Sequence, residues 1–287
     1  QLAAKRILAF EPFITDTVAG LWDANLHHGR IEWMSSIANK LPMMIVGRII
    51  GVPDGDIDKL IQWGYSATQV VEGLVTQGQM DAAGVAVMEL AGYIADQFNR
   101  AAANPQDNLL GDLATGCATG EVDNLVALAM MITLFSAGGE STASLLGSAA
   151  WTLTTHPHIQ RQLREQPALL GTFLEEVLRY EPPFRGHYRH VVNDTELAGV
   201  RLPAGSRLLL LWGAANRDPA VFEDPHRFDI LRSNAKRHLA FGAGPHVCLG
   251  ARLAKIQLRA LIGEVVRRLP DIHPVGEPEW LRSIWFN

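Results

Sequence analysis

Residues 241–250 read Phe-Gly-Ala-Gly-Pro-His-Val-Cys-Leu-Gly and lie just before the last helix-like stretch of the sequence. The three glycines of this segment let the backbone adopt positive φ angles and approach a flat object closely. We predict a helix from about Leu249 to Leu269, which places Cys248 at the positive end of a helix dipole, where a thiolate is favoured. A thiolate is a soft, electron-donating ligand that suits haem iron. The segment is therefore a candidate cofactor site.

Two other interpretations of Cys248 remain open on spacing alone. A free cysteine is most often an inert, buried structural residue, here in a glycine-rich turn. A zinc site that used His246 and Cys248 is a further possibility, but no other cysteine lies nearby in the sequence to complete four ligands.

A second segment, residues 137–142, reads Ala-Gly-Gly-Glu-Ser-Thr in the middle of a long helix predicted from about Val122 to Thr154. Two adjacent glycines there cost about 1 kcal/mol each relative to alanine. A hydroxyl that bonds to a backbone carbonyl can bend the helix, and the two effects together could open a groove. An acid and an alcohol beside that groove could relay protons to a bound oxygen. The commoner explanation is a packing site where glycines let two helices approach closely.

A third pattern, Glu176-x-x-Arg179, lies on a helix predicted from about Ala168 to Tyr180. The apolar stripe of this helix lies roughly on the opposite face, so the pattern alone predicts a solvated ion pair of small energetic value.

Composition sets limits on the class of protein. The 287 residues are 48% hydrophobic and 19% charged, as in soluble globular proteins, and the net charge of -5 implies no general affinity for nucleic acid. The two cysteines form no disulfide framework, which suits a reducing cytoplasm, and Cys117 is expected to be an inert thiol. No secretory signal opens the chain, and the apolar run 125–139 is cut by Glu140. We therefore expect a cytoplasmic protein with no membrane span.

The order of elements is mostly helical. Helical spacing of apolar residues predicts four helices in the first half, at 14–25, 31–50, 56–75 and 81–99. Farther on, the apolar runs 195–202 and 207–211 predict a hairpin around Pro203-Ala204-Gly205. Residues 216–245 are rich in Asp, Pro, Arg and Gly, which predicts a long irregular connection.

The segment 241–250 resembles the haem-binding loop of the cytochrome P450 family, Phe-x-x-Gly-x-(Arg/His)-x-Cys-x-Gly, a highly specific motif. The resemblance implies that Cys248 is the proximal ligand of haem b (iron protoporphyrin IX), with Phe241 packed near the sulfur and His246 bound to a haem propionate. It also implies that backbone N–H groups after the cysteine tune the thiolate. The resemblance places three further residues beside the cofactor: Gly242, Gly250 and Ala137.

Residues 137–142 resemble the oxygen-binding motif of the same family, Ala/Gly-Gly-x-(Asp/Glu)-Thr-(Thr/Ser). The resemblance implies catalytic roles for Glu140 as the acid and for Ser141 as the alcohol, with Thr142 able to share that role. Ser141 stands where threonine is usual, so the hydroxyl is kept but the methyl that restricts its rotamer is lost.

The Glu176-x-x-Arg179 pattern is similar to a family motif that forms a buried network with an arginine of a later irregular segment. Residues 224–228, Asp-Pro-His-Arg-Phe, resemble that segment, so Arg227 is the expected third member. The resemblance implies that the network is structural and fixes the loop that carries Cys248.

Residues 182–189 resemble the family strand that enters the haem pocket. Arg189 is implied as a partner of a haem propionate, because arginine offers a bidentate fork for a carboxylate. The residues implied to face the substrate are Phe184, Arg185, Gly186 and His187.

The resemblance implies a single cytochrome P450 domain over residues 1–287, mainly α with small antiparallel β-sheets, in which the N-terminal strands and the pocket-covering loop have no counterpart. It implies a haem-thiolate monooxygenase that inserts one oxygen atom from O2 into a hydrophobic small molecule. Electrons are expected from a ferredoxin and an NAD(P)H-dependent ferredoxin reductase, because the sequence has no flavin or iron–sulfur motif.

Three alternatives remain for function. One is a peroxide-using or ring-coupling relative, another is a catalytically silent haem-binding fragment, and the third is a helical interaction protein without a cofactor. A basic stripe on the last helix, Arg252, Lys255 and Arg259, is most simply a solvated face, but it could dock an acidic electron donor.

Overall fold

The computed structural model describes residues 4–72 and 75–280, and only the backbone for residues 4–5 and 69–72. Within that range the chain is mainly helical. The α-helices are α1 (Ala4–Ala9), α2 (Glu11–Asn25), α3 (Lys40–Ile50), α4 (Ile57–Glu72), α5 (Gln77–Ala103), α6 (Leu109–Ala118), α7 (Asn124–Gly138), α8 (Glu140–Thr155), α9 (Pro157–Glu165), α10 (Leu170–Tyr180), α11 (Trp212–Ala215) and α12 (Ala251–Arg268). The four helical regions predicted in the first half are present, although the second is divided into a π-helix (Met34–Ala38) and α3, and residues 73–74 of the third lie outside the described residues.

Four short strands form two antiparallel pairs. They are β1 (His187–His190), β2 (Thr195–Leu197), β3 (Val200–Leu202) and β4 (Arg207–Leu210). Strand β1 pairs with β4, and β2 pairs with β3. The predicted pairing of 195–202 with 207–211 was therefore wrong. Residues 195–202 fold back on themselves at Ala198 (φ 50°) and Gly199 (φ 79°), whose left-handed conformations make a tight two-residue turn.

Two clusters of buried apolar side chains form the core, and α3 lies between them. The first cluster joins residues of α2, α8, α9, α10 and α12, and the second joins residues of α4 to α7. Helix α3 contributes Leu41 and Ile45 to the first cluster and Met43 and Val46 to the second. A helix that is apolar on all sides is expected in such a buried position.

The long predicted helix is present but is divided at Gly139, where α7 ends and α8 begins (φ −86°, ψ −76°). Both glycines of this site pack closely against α3. A Cβ atom at Gly138 would lie 2.6 Å from Cγ2 of Val46, and one at Gly139 would lie 2.8 Å from Cε of Met43. The two glycines therefore do both things: they let α3 approach closely, as the helix-packing interpretation expects, and they mark the point where the long helix is interrupted.

One helical stretch, 124–155, is long and apolar enough to cross a membrane by length and composition alone. Its most apolar window of 18 residues has a mean hydropathy of 1.4. Core helices of water-soluble proteins pass the same test, and Glu140 is buried in the middle of this stretch. The stretch by itself is therefore weak evidence for a membrane-spanning segment.

Candidate functional site

A cavity of about 530 Å³ lies between the start of α8, strand β1 and the loop that carries Cys248. These three elements are far apart in sequence, and the fold brings them to one place. The predicted site residues that line the cavity are Ser141, Thr142, Phe184, His187, Arg189, Phe241, Gly242, His246 and Cys248. Four lining residues had no role assigned from sequence: Leu145, Pro183, Trp212 and Ala240.

The loop that carries Cys248 is held by its own backbone. The N–H of Cys248 donates to the carbonyl of Phe241 at 2.9 Å, and the N–H of Gly242 donates to the carbonyl of Leu239 at 2.9 Å. Gly242 (φ 68°) and Gly244 (φ 73°) adopt the left-handed conformation that the glycine spacing predicted. This geometry exposes Cys248 at the wall of the cavity.

The start of α12 influences the charge state of Cys248. The helix begins at Ala251, slightly later than predicted. Desolvation by the surrounding loop raises the pKa of the Cys248 thiol, whereas hydrogen bonds from the backbone N–H groups of Gly250 and Ala251 act in the opposite direction. These N–H groups have no partner within the helix and so favour negative charge on the sulfur. Gly250 does not line the cavity, and a Cβ atom there would lie 3.9 Å from Sγ of Cys248.

The acid and the alcohols of residues 140–142 do not share one environment. The Ser141 hydroxyl donates to the carbonyl of Ala137 at 2.8 Å, as expected for a hydroxyl that bends a helix. Ser141 and Thr142 line the cavity, but Glu140 and Ala137 do not. Glu140 is buried near Tyr65, whose pKa is raised by burial and by the charge of Glu140. The two alcohols therefore lie on the cavity wall as predicted, whereas the acid is buried and does not line the cavity.

The segment that enters the cavity, residues 184–189, contributes only some of its residues to the cavity wall. Phe184, His187 and Arg189 line the cavity, whereas Arg185 and Gly186 do not, contrary to the prediction. A Cβ atom at Gly186 would lie 2.7 Å from the carbonyl oxygen of Leu210, because Gly186 packs against the end of β4. Arg185 is exposed.

Trp212 reaches the cavity because β4 pairs with β1. Its indole Nε1–H donates to Nδ1 of His187 at 2.6 Å. The rings of His187 and Phe184 lie 4.7 Å apart between centroids. The sequence alone carried no signal for this contact, since it depends on a strand pairing that had been predicted differently.

Glu176 and Arg179 form a buried bidentate pair. Arg179 Nε donates to Oε2 of Glu176 at 2.7 Å, and Nη2 donates to Oε1 at 2.7 Å. Both side chains are 0% exposed. The buried network implied by the resemblance is therefore present, and the solvated pair suggested by helical spacing was wrong.

The third charged side chain of this network is Arg232, not Arg227. Arg232 is 7% exposed, and its Nε donates to Oε1 of Glu176 at 3.1 Å. The Arg227 side chain is 67% exposed and pairs with Asp229 at 2.7 Å. Arg227 takes part only through its carbonyl oxygen, which accepts hydrogen bonds from Arg179 at 3.1 Å and from Arg232 at 3.0 Å. The irregular segment turns so that the backbone of Arg227, rather than its side chain, faces Glu176.

A second network, which sequence analysis did not identify, supports the cysteine loop. Glu175 accepts hydrogen bonds from Lys255 Nζ at 2.8 and 2.9 Å and lies 3.1 Å from Nε2 of His238. Lys255 Nζ also lies 5.4 Å from the ring centroid of Phe241. Burial alone would raise the pKa of Glu175, but its hydrogen bonds to His238 and Lys255 outweigh that effect and lower the pKa to about 2. Of the predicted basic stripe, Arg252 and Arg259 are exposed, whereas Lys255 is committed to this network.

The donor set of the cavity fits a haem. One thiol, Cys248, is available to hold the iron, and Arg189 and His246 are the cationic and imidazole groups that could bind carboxylates. Phe241 and Leu145 provide apolar walls. Among the side chains that the structure describes, residues 6–68 and 75–280, no group of three or more His, Cys, Asp or Glu residues could hold a metal ion, and the zinc interpretation has no support among them.

Comparisons with known proteins identify the family. The sequence model of the family described as Cytochrome P450 matches residues 116–270. Cytochrome P450 144 of Mycobacterium tuberculosis (strain CDC 1551 / Oshkosh) is 58% identical over 284 residues, which cover 99% of this chain and 65% of that protein. The Biotin biosynthesis cytochrome P450 of Bacillus subtilis (strain 168) is 32% identical, over 95% of this chain and 68% of that protein. The chain thus spans slightly less than two thirds of the length of cytochrome P450 144.

Solved structures show the same fold. A crystal structure of P450BioI in complex with hexadec-9Z-enoic acid ligated acyl carrier protein superposes with a TM-score of 0.93 at 30% identity, over 99% of this chain and 73% of that chain. The structure of CYP109E1 from Bacillus megaterium in complex with testosterone gives a TM-score of 0.90 at 29% identity, over 98% of this chain and 74% of that chain. The family uses haem b as its cofactor. With these relatives and this site, the chain belongs to the cytochrome P450 family.

Proposed function

We propose that this chain carries the haem site of a monooxygenase that inserts one oxygen atom from O2 into a hydrophobic small molecule. The observation that carries the proposal is that Cys248, Arg189 and Ser141, which are distant in sequence, line one cavity. Cys248 would hold the iron, and Arg189 and His246 would bind the haem propionates. When bound, haem b supplies oxygen activation, to which the thiolate contributes electron density.

The hydroxyls at the start of α8 are proposed to handle protons. Ser141 Oγ donates to the carbonyl of Ala137, so its lone pairs remain able to accept a hydrogen bond from water in the cavity. Thr142 lines the same wall and can share that role. Glu140 is buried, directly precedes Ser141 in the chain and does not line the cavity, and it is proposed as the group that supplies protons to the hydroxyls.

A hydrophobic substrate is supported by the cavity wall. Leu145, Phe184 and Trp212 contribute apolar surface to it. Two related structures were solved with hexadec-9Z-enoic acid ligated to an acyl carrier protein and with testosterone, and both the fatty acyl group and testosterone are largely apolar. We also propose that the protein is cytoplasmic. Its electrons would come from a ferredoxin and an NAD(P)H-dependent ferredoxin reductase. The exposed Arg252 and Arg259 would be the residues on which the ferredoxin docks.

The test is the reduced-CO difference spectrum of the full chain and of two cysteine variants. We expect the wild type to show a band at about 450 nm, as for a thiolate-bound haem. Cys248→Ser should lose this band, and the matched control Cys117→Ser should keep it. A wild-type band at about 420 nm would contradict thiolate ligation by Cys248. A Cys248→Ser spectrum identical to that of the wild type would contradict it as well.

Turnover assays separate the alternatives. Product formed with ferredoxin, reductase and NAD(P)H supports the monooxygenase. Turnover with hydrogen peroxide and none with the electron-transfer proteins would instead identify a peroxide-using relative. Bound haem without turnover in either assay would identify a catalytically silent fragment.

A further inference from the structure

Lys255 holds its charge against Phe241, a residue of the cavity wall. Its Nζ atom lies 5.4 Å from the centroid of the Phe241 ring, and the electron-rich face of an aromatic ring attracts a cation at such a distance. Phe241 lines the cavity together with Cys248, and its carbonyl oxygen accepts a hydrogen bond from the N–H of Cys248 at 2.9 Å. One residue, Phe241, therefore interacts both with the charge of Lys255 and with the cysteine proposed to hold the iron.

The charge of Lys255 is balanced by Glu175 on α10. Lys255 Nζ donates to both carboxylate oxygens of Glu175, at 2.8 and 2.9 Å. The Glu175 side chain is 12% exposed, and its pKa of about 2 means that it is ionised at neutral pH. One positive and one negative charge thus lie together behind the cysteine loop, in a partly buried place where charges interact more strongly than in water.

His238 fixes Glu175 without adding a charge. The backbone N–H of Ala240 donates to Nδ1 of His238 at 3.2 Å, so Nδ1 carries no hydrogen and the ring is neutral. Its one N–H is therefore on Nε2, which lies 3.1 Å from Oε2 of Glu175. The His238 ring also lies 5.8 Å from the ring of Phe241, between centroids. The net charge of the three side chains against Phe241 is zero, made of two opposite charges.

We propose that Lys255 and Glu175 set the reduction potential of the haem held by Cys248, acting through Phe241. They are positioning residues, because neither lines the cavity. One electron converts ferric to ferrous haem, so a positive charge nearby favours reduction and a negative charge opposes it. The charge and polarity around a haem are among the factors that determine its potential. This inference rests on the proposed function, because it takes Cys248 to hold a haem.

The test is a redox titration of the haem-loaded full chain with dithionite and mediators, followed at the Soret band. Glu175→Gln leaves the charge of Lys255 uncompensated and should favour reduction by about tenfold, which is about 59 mV for one electron. Lys255→Met leaves the charge of Glu175 and should disfavour reduction by a similar factor. The double variant should return to within about twofold of the wild type, and Lys255→Arg, which keeps the charge, should match it. Opposite shifts that cancel are expected from charge, and not from loss of packing.

Two matched controls make the same changes of charge elsewhere. Lys59→Met removes a lysine that lies 4.7 Å from the ring centroid of Trp63, and Glu264→Gln removes a carboxylate that pairs with Arg267 at 2.7 Å. Neither Lys59 nor Glu264 lines the cavity. Both controls should leave the reduction potential unchanged.

Potentials are compared only between variants whose reduced-CO band stays at about 450 nm, so that the thiolate ligand is retained. Shifts in the same direction in Glu175→Gln and Lys255→Met, or shifts no larger than those of the controls, would overturn this inference and leave the proposed function intact. Loss of the band in both variants would also overturn it and would show that the pair only holds the loop. If one variant loses the band, the shift of the other against the controls decides. A wild type without this band would overturn the proposed function, and this inference with it.

Discussion

Arg232 donates a hydrogen bond from Nε to Oε1 of the buried Glu176 at 3.1 Å. The same carboxylate accepts two bonds from Arg179 and one from the backbone N–H of Asp229 at 2.9 Å. The carboxylate of Glu176 thereby joins α10 to the irregular segment that leads to the cysteine loop. Because these charges are buried, each depends on the others for solvation.

Removal of Arg232 should therefore destabilise the protein strongly. We expect Arg232→Ala to lower the free energy of unfolding by about 3–5 kcal/mol, because it leaves the charge of Glu176 buried with one partner fewer. Arg227→Ala is the matched control, and it should have little effect because it retains the backbone carbonyl that takes part in the network. Urea unfolding followed by circular dichroism measures both. Equal destabilisation by the two substitutions would contradict the assignment of Arg232.

A methyl group at Gly138 should disturb the packing of α7 on α3. The added Cβ would lie 2.6 Å from Cγ2 of Val46, so Gly138→Ala should cost about 1–3 kcal/mol of stability. Gly84→Ala, in the exposed part of α5, is the control. Apart from the neighbouring backbone of α5 itself, no atom of the described residues lies within 4 Å of its added Cβ, so Gly84→Ala should stabilise the protein by about 0.5–1 kcal/mol. Thermal unfolding compares the two, and stabilisation by both alanines would show that α3 moves away without cost.

Loss of the Ser141 hydroxyl should reduce turnover rather than stability. If Ser141 passes protons, Ser141→Ala should slow product formation by about 10²-fold, a typical contribution of a group that transfers protons. Thr133→Ala removes an equivalent bond, from Thr133 Oγ1 to the carbonyl of Ala129 at 2.7 Å, on the exposed side of α7. This control should retain full activity. Turnover of Ser141→Ala equal to that of Thr133→Ala would exclude a role for this hydroxyl in the reaction.

The Glu175 network should make stability depend on pH in the acid range. The pKa of Glu175 is about 2 in the folded protein against an ordinary value of 4.5, so the unfolded chain binds more protons between these values. Its contribution, at most about 3 kcal/mol, is present above about pH 5 and is lost as the pH falls towards about 2.

Glu175→Gln should accordingly lower stability at neutral pH and flatten its dependence on pH between about 5 and 2. The control Glu196→Gln changes an exposed carboxylate of β2 and should leave that dependence unchanged. The measurement is a series of urea unfolding curves across this range. An unchanged slope in Glu175→Gln would show that His238 and Lys255 do not stabilise the ionised form.

Charge reversal on α12 tests the proposed docking face. Arg252→Glu combined with Arg259→Glu should weaken ferredoxin binding by about tenfold at low salt, with a smaller effect at high salt because surface charges are screened. Arg161→Glu on α9 also reverses an exposed charge and serves as the control. Titrations by surface plasmon resonance measure both. Equal binding by the double variant and the wild type would remove the docking proposal.

Sequence motifs located several of the residues that line the cavity. The glycine spacing of residues 241–250 predicted a loop with positive φ angles that brings Cys248 close to a flat object. The positive φ angles of Gly242 and Gly244 confirm the predicted backbone conformation. The helix-bending hydroxyl was also predictable, because the bond from Ser141 to the carbonyl of Ala137 spans only four residues. Such features are local, so they depend little on the rest of the fold.

Only the tertiary structure decided which distant residues meet. The sequence predicted Arg227 as the third member of the Glu176 network, whereas the pairing of Arg232 with Glu176 depends on how the irregular segment turns its backbone at Arg227. The bond between Trp212 and His187 likewise requires β4 to pair with β1. Segment turns and strand pairings are determined by burial and hydrogen bonding summed over the whole chain, whereas motif spacing and helix periodicity are properties of a few consecutive residues.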